Sequence, residues 1–333
     1  MINKLNNKTY TFIFITFAYW FFMLSDGALR MIVLLHFHSI GFSPLQLAYL
    51  FLLYEFFGMI TNLTAGWIAK KIGLNVTLYF GLILQIISLI TLTQIDKSWT
   101  ISTSVIFVMF IQGISGIAKD LTKMSAKSSV KLLAPQEKQM LFKWVALLTG
   151  SKNAVKGLGF LLGALLLTFF NFHFSLIIMS VILTIILILT FFFLPNNLLT
   201  VNKKIKFIEI FSNNSNVNYL SLGRVFLFGA RDVWLVIGLP VFFYNILSNG
   251  IQDDNHKAFF IIGSFMAIWT IFYGFIQSIT PKILSETRAL YSQAKVWANI
   301  LIIIPLILII LNINFNESKL IITIVLLFVF GFV

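Results

Sequence analysis

Asp26 and Arg30 stand one helical turn apart inside the apolar run Thr11 to Phe37. An i, i+4 spacing puts both on one helix face, where they can pair. Each charge at the centre of a spanning helix costs about 2.5–3.5 kcal/mol on insertion scales, so such residues mark a partner, a pathway or a water-filled cavity. Glu55, Lys152, Lys156, Arg231 and Asp232 repeat the pattern in other apolar runs. The buried cations Arg30, Lys152, Lys156 and Arg231 outnumber the acids Asp26, Glu55 and Asp232. Lys119 and Lys123, with Asp120 between them at the inner end of a fourth run, extend the same set. A cationic excess complements an anionic solute. Arg suits bidentate recognition of carboxylate or phosphate-like oxyanions, and Lys acts as a point charge. The six cations Arg30, Lys119, Lys123, Lys152, Lys156 and Arg231 are therefore the candidate substrate-binding residues. Asp26, Glu55, Asp120 and Asp232 are candidates for proton coupling or ion pairing. Glu55 leads them, because no cation lies three or four residues from it. The alternative role for the same charges is a set of internal ion pairs that lock the two parts of the molecule together.

The elements that carry these residues are membrane spans. Hydrophobic residues make up 59 % of the 333-residue chain, charged residues 11 %, and the mean hydropathy is +0.95. A soluble domain has about a quarter of its residues charged. Ten spans of about 20 residues fit, near 11–37, 44–69, 76–95, 100–119, 141–170, 172–194, 218–245, 257–280, 289–312 and 318–333. The first is read as an uncleaved span, since no small-residue cleavage site follows it. At about 1.5 Å per residue, Asp26, Glu55, Lys152 and Arg231 reach one level near the midplane.

The net charge of +13 does not point to nucleic acid, because most lysines sit in short loops between spans. Lys4, Lys8, Lys70, Lys71, Lys123, Lys127, Lys131, Lys138, Lys203, Lys204, Lys206, Lys282 and Arg288 gather on one side, and Lys97, Lys257 and Lys319 on the other. The positive-inside rule makes the first side, and the N-terminus, cytoplasmic. Lys119, Lys123, Lys127 and Lys131 form a stripe along one helix face. It reads as an anion funnel or as a solvated cytoplasmic face.

The polar stretch Pro195 to Val217 separates an N-terminal six-helix half (1–195) from a C-terminal part (218–333), with 196–217 as a cytoplasmic linker. Gly27-Ala28-Leu29-Arg30 in span 1 is echoed by Gly229-Ala230-Arg231-Asp232 in span 7. The segment Phe57 to Thr64 in span 2 is echoed by Tyr273 to Thr280 in span 8. A parallel repeat of two six-helix halves is a known transporter plan. Ten spans against twelve, with the last apolar run still going at Val333, lead us to expect a truncated chain and an incomplete second half of about four helices.

Several chemistries find little support. There are no cysteines, which excludes thiolate metal sites and Fe–S clusters. His36 and His38 lie two residues apart, on different sides of a helix, and cannot chelate one ion from one face. Asp253-Asp254-Asn255-His256, placed in an outer loop, is a weak pointer to metal-dependent polyprenyl-phosphate chemistry. No catalytic residues, resident metal or cofactor are expected. The 37 phenylalanines read as lipid-facing and packing mass.

Three runs carry a family resemblance. Ser25-Asp26-Gly27-Ala28-Leu29-Arg30-Met31, with Leu34 to His38 and Leu53 to Gly58 after it, is the first. Gly116 to Ser125 is the second, and Phe142 to Asn153 the third. Together they resemble the organoarsenical-efflux branch of the major facilitator superfamily, the ArsJ type. The resemblance implies an all-α polytopic fold of two six-helix halves in a bacterial inner membrane, and a monomer by analogy of fold. It implies efflux of 1-arseno-3-phosphoglycerate, conferring arsenate resistance, and a functional link to a glyceraldehyde-3-phosphate dehydrogenase that accepts arsenate. Export of another organic phosphate, a membrane-embedded polyprenyl-phosphate enzyme and a non-transporting assembly or receptor protein are the other readings. One departure concerns Gly66-Trp67-Ile68-Ala69-Lys70-Lys71-Ile72-Gly73, which keeps the glycines of the superfamily's loop motif but has Lys70 at its acidic position.

Overall fold

The computed structural model describes residues 2–96, 98–133, 138–194, 214–232, 237–247, 252–284, 290–314 and 319–332, all helical apart from short turns. Eleven helices follow one another among the described residues: α1 Ile2–Ser39, α2 Pro44–Ile72, α3 Leu74–Leu92, α4 Ile101–Leu133, α5 Lys138–Phe169, α6 Phe172–Phe193, α7 Ser215–Asp232, α8 Leu239–Leu247, α9 Gln252–Leu284, α10 Leu290–Asn314 and α11 Lys319–Phe332. Without water to satisfy the backbone, a spanning chain must close its hydrogen bonds within each helix. Seven of the helices, α1 to α6 and α9, are long and apolar enough to cross a membrane. The chain is therefore a multi-pass membrane protein.

Local chemistry sets the boundaries. Ser43 and Gln46 form a capping box at the start of α2, with Pro44 in the first turn, satisfying amides that have no partner inside the helix. Gly73 ends α2 at φ 98°, a conformation that L side chains resist, and the chain turns at once into α3. Asn171 caps α6 by accepting from the Phe174 amide at 2.8 Å.

Three expectations change. The fourth span was expected to end at 119, yet α4 continues to Leu133. Beyond Lys119 it still buries Leu121, Thr122, Ser125, Ala126, Ser129 and Val130, and its lysines recur every four residues on one face, so the charges do not end the helix. The seventh expected span, 218–245, is occupied by α7 and α8, with 233–236 outside the described residues. Asp253 to His256, expected in a loop, lie in the first turns of α9; their side chains are outside the described ones. The linker expected at 196–217 also falls largely outside, and Ser215 already begins α7.

The core runs through α1. Tyr19, Phe22, Leu29 and Ile32 are buried there. The closest helix pairs are α5 with α9, α2 with α4, α1 with α5, and α3 with α4. Phe80, Ile83, Ile87 and Ile90 on α3, and Phe191, Phe192 and Phe193 on α6, point outward. That agrees with phenylalanine as lipid-facing mass. Trp269 of α9 ties down α11 by donating to the Leu327 carbonyl at 2.7 Å.

Candidate functional site

Small residues let the helices that carry the charges approach backbone to backbone, as is usual in membranes. A Cβ at Gly27 of α1 would lie 2.5 Å from the Lys156 carbonyl of α5, and one at Gly116 of α4 would collide with the Tyr54 carbonyl of α2. These approaches bring side chains from four helices to one level.

The charges then form a ladder of alternating sign. Lys123 Nζ lies 2.6 Å from Asp120 Oδ1, and Lys119 Nζ lies 3.8 Å from Asp120 Oδ2. Lys119 Nζ is 3.7 Å from Glu55 Oε2, and Arg30 Nη2 donates to Glu55 Oε1 at 2.7 Å. Arg30 Nε is 4.0 Å from Asp26 Oδ2, and Lys156 Nζ is 2.9 Å from that same oxygen. A cation stands at each end, so four cations face three carboxylates. The Tyr54 hydroxyl donates to Asp26 Oδ1. Its ring has Arg30 Cζ and Lys119 Nζ each 4.1 Å from the centroid. Asp26 and Arg30 are 1 % and 4 % exposed, whereas the Glu55 side chain is 42 % exposed. The ladder thus has a sealed end on α1 and an open carboxylate on α2.

Of the expected site residues, Arg30, Lys119, Lys123, Lys156, Asp26, Glu55 and Asp120 come together. Lys152 lies on α5 one turn before Lys156 and is half-buried. Arg231 and Asp232 end α7, and their side chains are outside the described ones. The expected i, i+4 pair of Asp26 and Arg30 is the longest contact of the ladder. Each turns instead to another helix, because a neighbouring helix offers better geometry than a long side chain folded back on its own turn. Lys156, which has no local acid, takes Asp26 across the α1–α5 contact, and Glu55 takes Arg30 and Lys119. The pairs join α1, α2, α4 and α5 to each other. Among the described residues these pairs lie within the first six helices.

Tyr54 was missed as a site residue. Its signal is position: tyrosine concentrates at membrane interfaces, and this one stands mid-span beside a carboxylate. The two histidines go separate ways. The His36 ring stacks on Phe172 at 4.3 Å, and His38 meets the Tyr244 ring at 4.4 Å. Among the described residues no group of three His, Asp or Glu is placed to hold a metal. Lys71 lies over the Trp67 ring at 4.6 Å, and Lys70 is exposed at the end of α2. An apolar groove of about 350 Å³, lined by Trp99, Thr103, Phe107 and Phe110 among others, lies at the far end of α4 from the ladder and carries no charge.

Comparison with known proteins agrees with this architecture. The family model described as "Major Facilitator Superfamily" matches residues 15–333. The fold is similar to that of a D-xylose-proton symporter, with a TM-score of 0.59 and 13 % identity over 97 % of this chain and 80 % of that one. It is similar to a POT family transporter solved with a thioalcohol-conjugated peptide, with a TM-score of 0.61 and 14 % identity over 96 % and 81 %. A POT family transporter solved with 5-aminolevulinic acid gives 0.60 and 14 % over the same shares. No curated protein matches by sequence.

Proposed function

This chain belongs to the Major Facilitator Superfamily, and from that premise we propose that it exports an anionic organoarsenical, 1-arseno-3-phosphoglycerate, by alternating access between two six-helix halves. In this reading the halves are 1–195 and 218 onward, joined by the cytoplasmic linker 196–217. The N-terminus faces the cytoplasm of a bacterium, and the protein is a monomer of its inner membrane. Its anion arrives from a glyceraldehyde-3-phosphate dehydrogenase that accepts arsenate.

The observation that carries this reading is the ladder's excess of positive charge, four cations against three carboxylates on four helices. Each inner rung stands between two groups of opposite charge. An arriving oxyanion gains most by replacing a carboxylate, and Glu55 is the exposed one. Arg30 and Lys119 then bind the substrate in place of Glu55. The displaced carboxylate, released from its cations and open to water, is then free to carry a proton. Anion and proton then load together, so the exchange links the two fluxes in one direction and does not by itself give antiport. A chain without cysteine offers no thiolate to trivalent arsenic. It suits a pentavalent ester, which presents the same oxygens as phosphate. Those same ligands would equally hold another organic phosphate, which is the second reading.

The test is arsenate tolerance of a sensitive bacterium that expresses this protein with and without an arsenate-accepting glyceraldehyde-3-phosphate dehydrogenase. Tolerance that needs both proteins is the expected result. Tolerance without the dehydrogenase would move the assignment to arsenate itself. Absence of tolerance, with exchange of 3-phosphoglycerate in vesicles, would move it to organic phosphates.

A further inference from the structure

Helix α5 has a second face, turned to α9. The two helices run antiparallel and, at their glycines, approach backbone to backbone. A Cβ at Gly150 would collide with Ser278 and the Gly274 carbonyl, one at Gly274 would lie 2.5 Å from the Gly150 carbonyl, and one at Gly157 would lie 2.8 Å from the Ala267 carbonyl. Within this seam Asn153 Nδ2 donates to Gln277 Oε1 at 2.5 Å, and Asn153 is 9 % exposed. The bond joins the first six helices to the later ones. Asn153 is also the neighbour of Lys152 and stands three residues before Lys156, the end rung of the ladder.

We propose that Asn153 and Gln277 are positioning residues for transport: their hydrogen bond is made while the α5–α9 seam is closed, as in this structure, parts when the seam opens, and is weighted by anion occupancy beside Lys152 and Lys156. The inference rests on the transport reading of that site. The physical argument has three steps. On the α1 side α5 is fixed, because Gly27 and Lys156 touch through backbone and Lys156 is paired with Asp26. On the α9 side smooth backbone surfaces permit sliding, and the amide pair is the directional contact that gives the seam a register. A buried amide without a partner is disfavoured, so the pair is either closed or exchanged for water in an opened seam, which makes the element two-state rather than continuously deformable. An anion seated on the α5 lysines gains contacts as the halves close around it, and that closure changes the register.

The chain contains no cysteine, so a pair of introduced cysteines can be spin-labelled without background. Ile40→Cys, exposed at the end of α1, and Lys257→Cys, exposed near the start of α9, report the separation of the two halves by pulsed electron resonance. In the ligand-free protein, Asn153→Ala and Gln277→Ala should each change the ratio of the two distance populations by about threefold to tenfold, the reach of one net hydrogen bond. The double variant should go no further than either single one, and the exchange Asn153→Gln with Gln277→Asn should restore the ratio. Additive changes, or none, would overturn the proposal. With 3-phosphoglycerate as probe, the wild type should shift its ratio. Asn153→Ala should still bind it within about threefold by calorimetry but lose the shift; a shift kept in Asn153→Ala would overturn the coupling. A wild type that binds no 3-phosphoglycerate would count against the substrate reading instead, and the ligand-free cycle would still decide the seam.

Discussion

On its α1 side α5 presents Lys156 to Asp26 at 2.9 Å, within a set of charges that each need a partner. On its α9 side the same helix presents Gly150, Asn153 and Gly157 to Ala267, Gly274 and Gln277, none of them ionisable. The two faces are stabilised differently. The charged face is specific because a buried carboxylate without its cation is far more costly than a lost contact. It therefore ties α1, α2, α4 and α5 to one another. The seam owes its closeness to dispersion between backbones, which has little directional preference, and the Asn153–Gln277 amide pair adds a directional contact. In the transport reading proposed for this chain, solute recognition falls on the first face and motion on the second. A charge pair across the seam would have to be broken at every cycle, whereas one neutral hydrogen bond is worth only about 0.5–1.5 kcal/mol net.

The strongest way to break this contrast is Arg30→Ala. The change removes the shorter of the two cation contacts of Glu55, leaving Lys119, and the longer of the two at Asp26, leaving Lys156. Breaking a buried pair costs about 3–5 kcal/mol. Export should fall by more than about 100-fold while the protein still reaches the membrane, the fall being transition-state and ground-state binding lost together at 1.4 kcal/mol per factor of ten. Lys152→Ala should abolish export in the same way, as an α5 lysine that receives the anion. Wild-type export in either variant, measured in inverted vesicles with expression checked by immunoblot, would remove that residue from the site. Arg30→Lys should not rescue, since an ammonium lacks the planar fork with which the guanidinium takes a carboxylate or oxyanion bidentately.

Next in size is Gly150→Leu, which acts on the seam alone. Its side chain meets Ser278 and the Gly274 carbonyl, and overpacking of this kind costs about 1–3 kcal/mol. We expect a lower melting temperature in detergent and slow exchange, with 3-phosphoglycerate binding kept within about twofold. Binding lost in parallel with exchange would mean that the two faces of α5 are not separable. Tyr54→Phe is of similar size and tests the charged face from inside. It removes the hydroxyl that donates to Asp26, a bond to a charged group worth about 1.5–3 kcal/mol, and keeps the ring beneath Arg30 and Lys119. Tyr54→Leu removes both, and its loss of export should exceed that of Tyr54→Phe by roughly the 0.5–2 kcal/mol of a cation–π contact. Equal losses would show that the ring does not organise the cations.

The two regions differed in how far the sequence disclosed them. The ladder's members were visible as residue types, because lipid makes any mid-span charge conspicuous. Their partners were not. Arg30 and Glu55 are 25 residues apart, and Lys156 meets Asp26 only because glycines let α1 and α5 touch, so helical spacing favoured the poorer Asp26–Arg30 pair. The seam was almost silent. Glycine is common in spanning helices, and Asn153 is one uncharged residue among many, so nothing in a single sequence marks which glycines face another helix. The multi-pass helical fold was legible from hydropathy alone, since each span must satisfy its own backbone, whereas the end of α4 was not, because lysines on one face look like a loop until the apolar and small residues on the other face are placed.

That misplaced boundary yields the smallest and most selective prediction. Lys119, Lys123, Lys127 and Lys131 share one stripe of α4, so a simple electrostatic funnel would make them equivalent. The structure divides them: Lys119 and Lys123 contact Asp120, and Lys119 also contacts Glu55, while Lys131 is exposed. An exposed lysine outside a network contributes within about 0.5 kcal/mol, and its long-range field is screened beyond about 8–10 Å at physiological salt. Lys119→Ala should therefore lose most export, and Lys131→Ala should change it by less than about twofold at physiological ionic strength. Repeating both at low salt sharpens the point. A Lys131→Ala defect that grows as salt is removed would restore the funnel, and one that stays absent would confine the anion's cationic partners to the part of α4 that the ladder occupies.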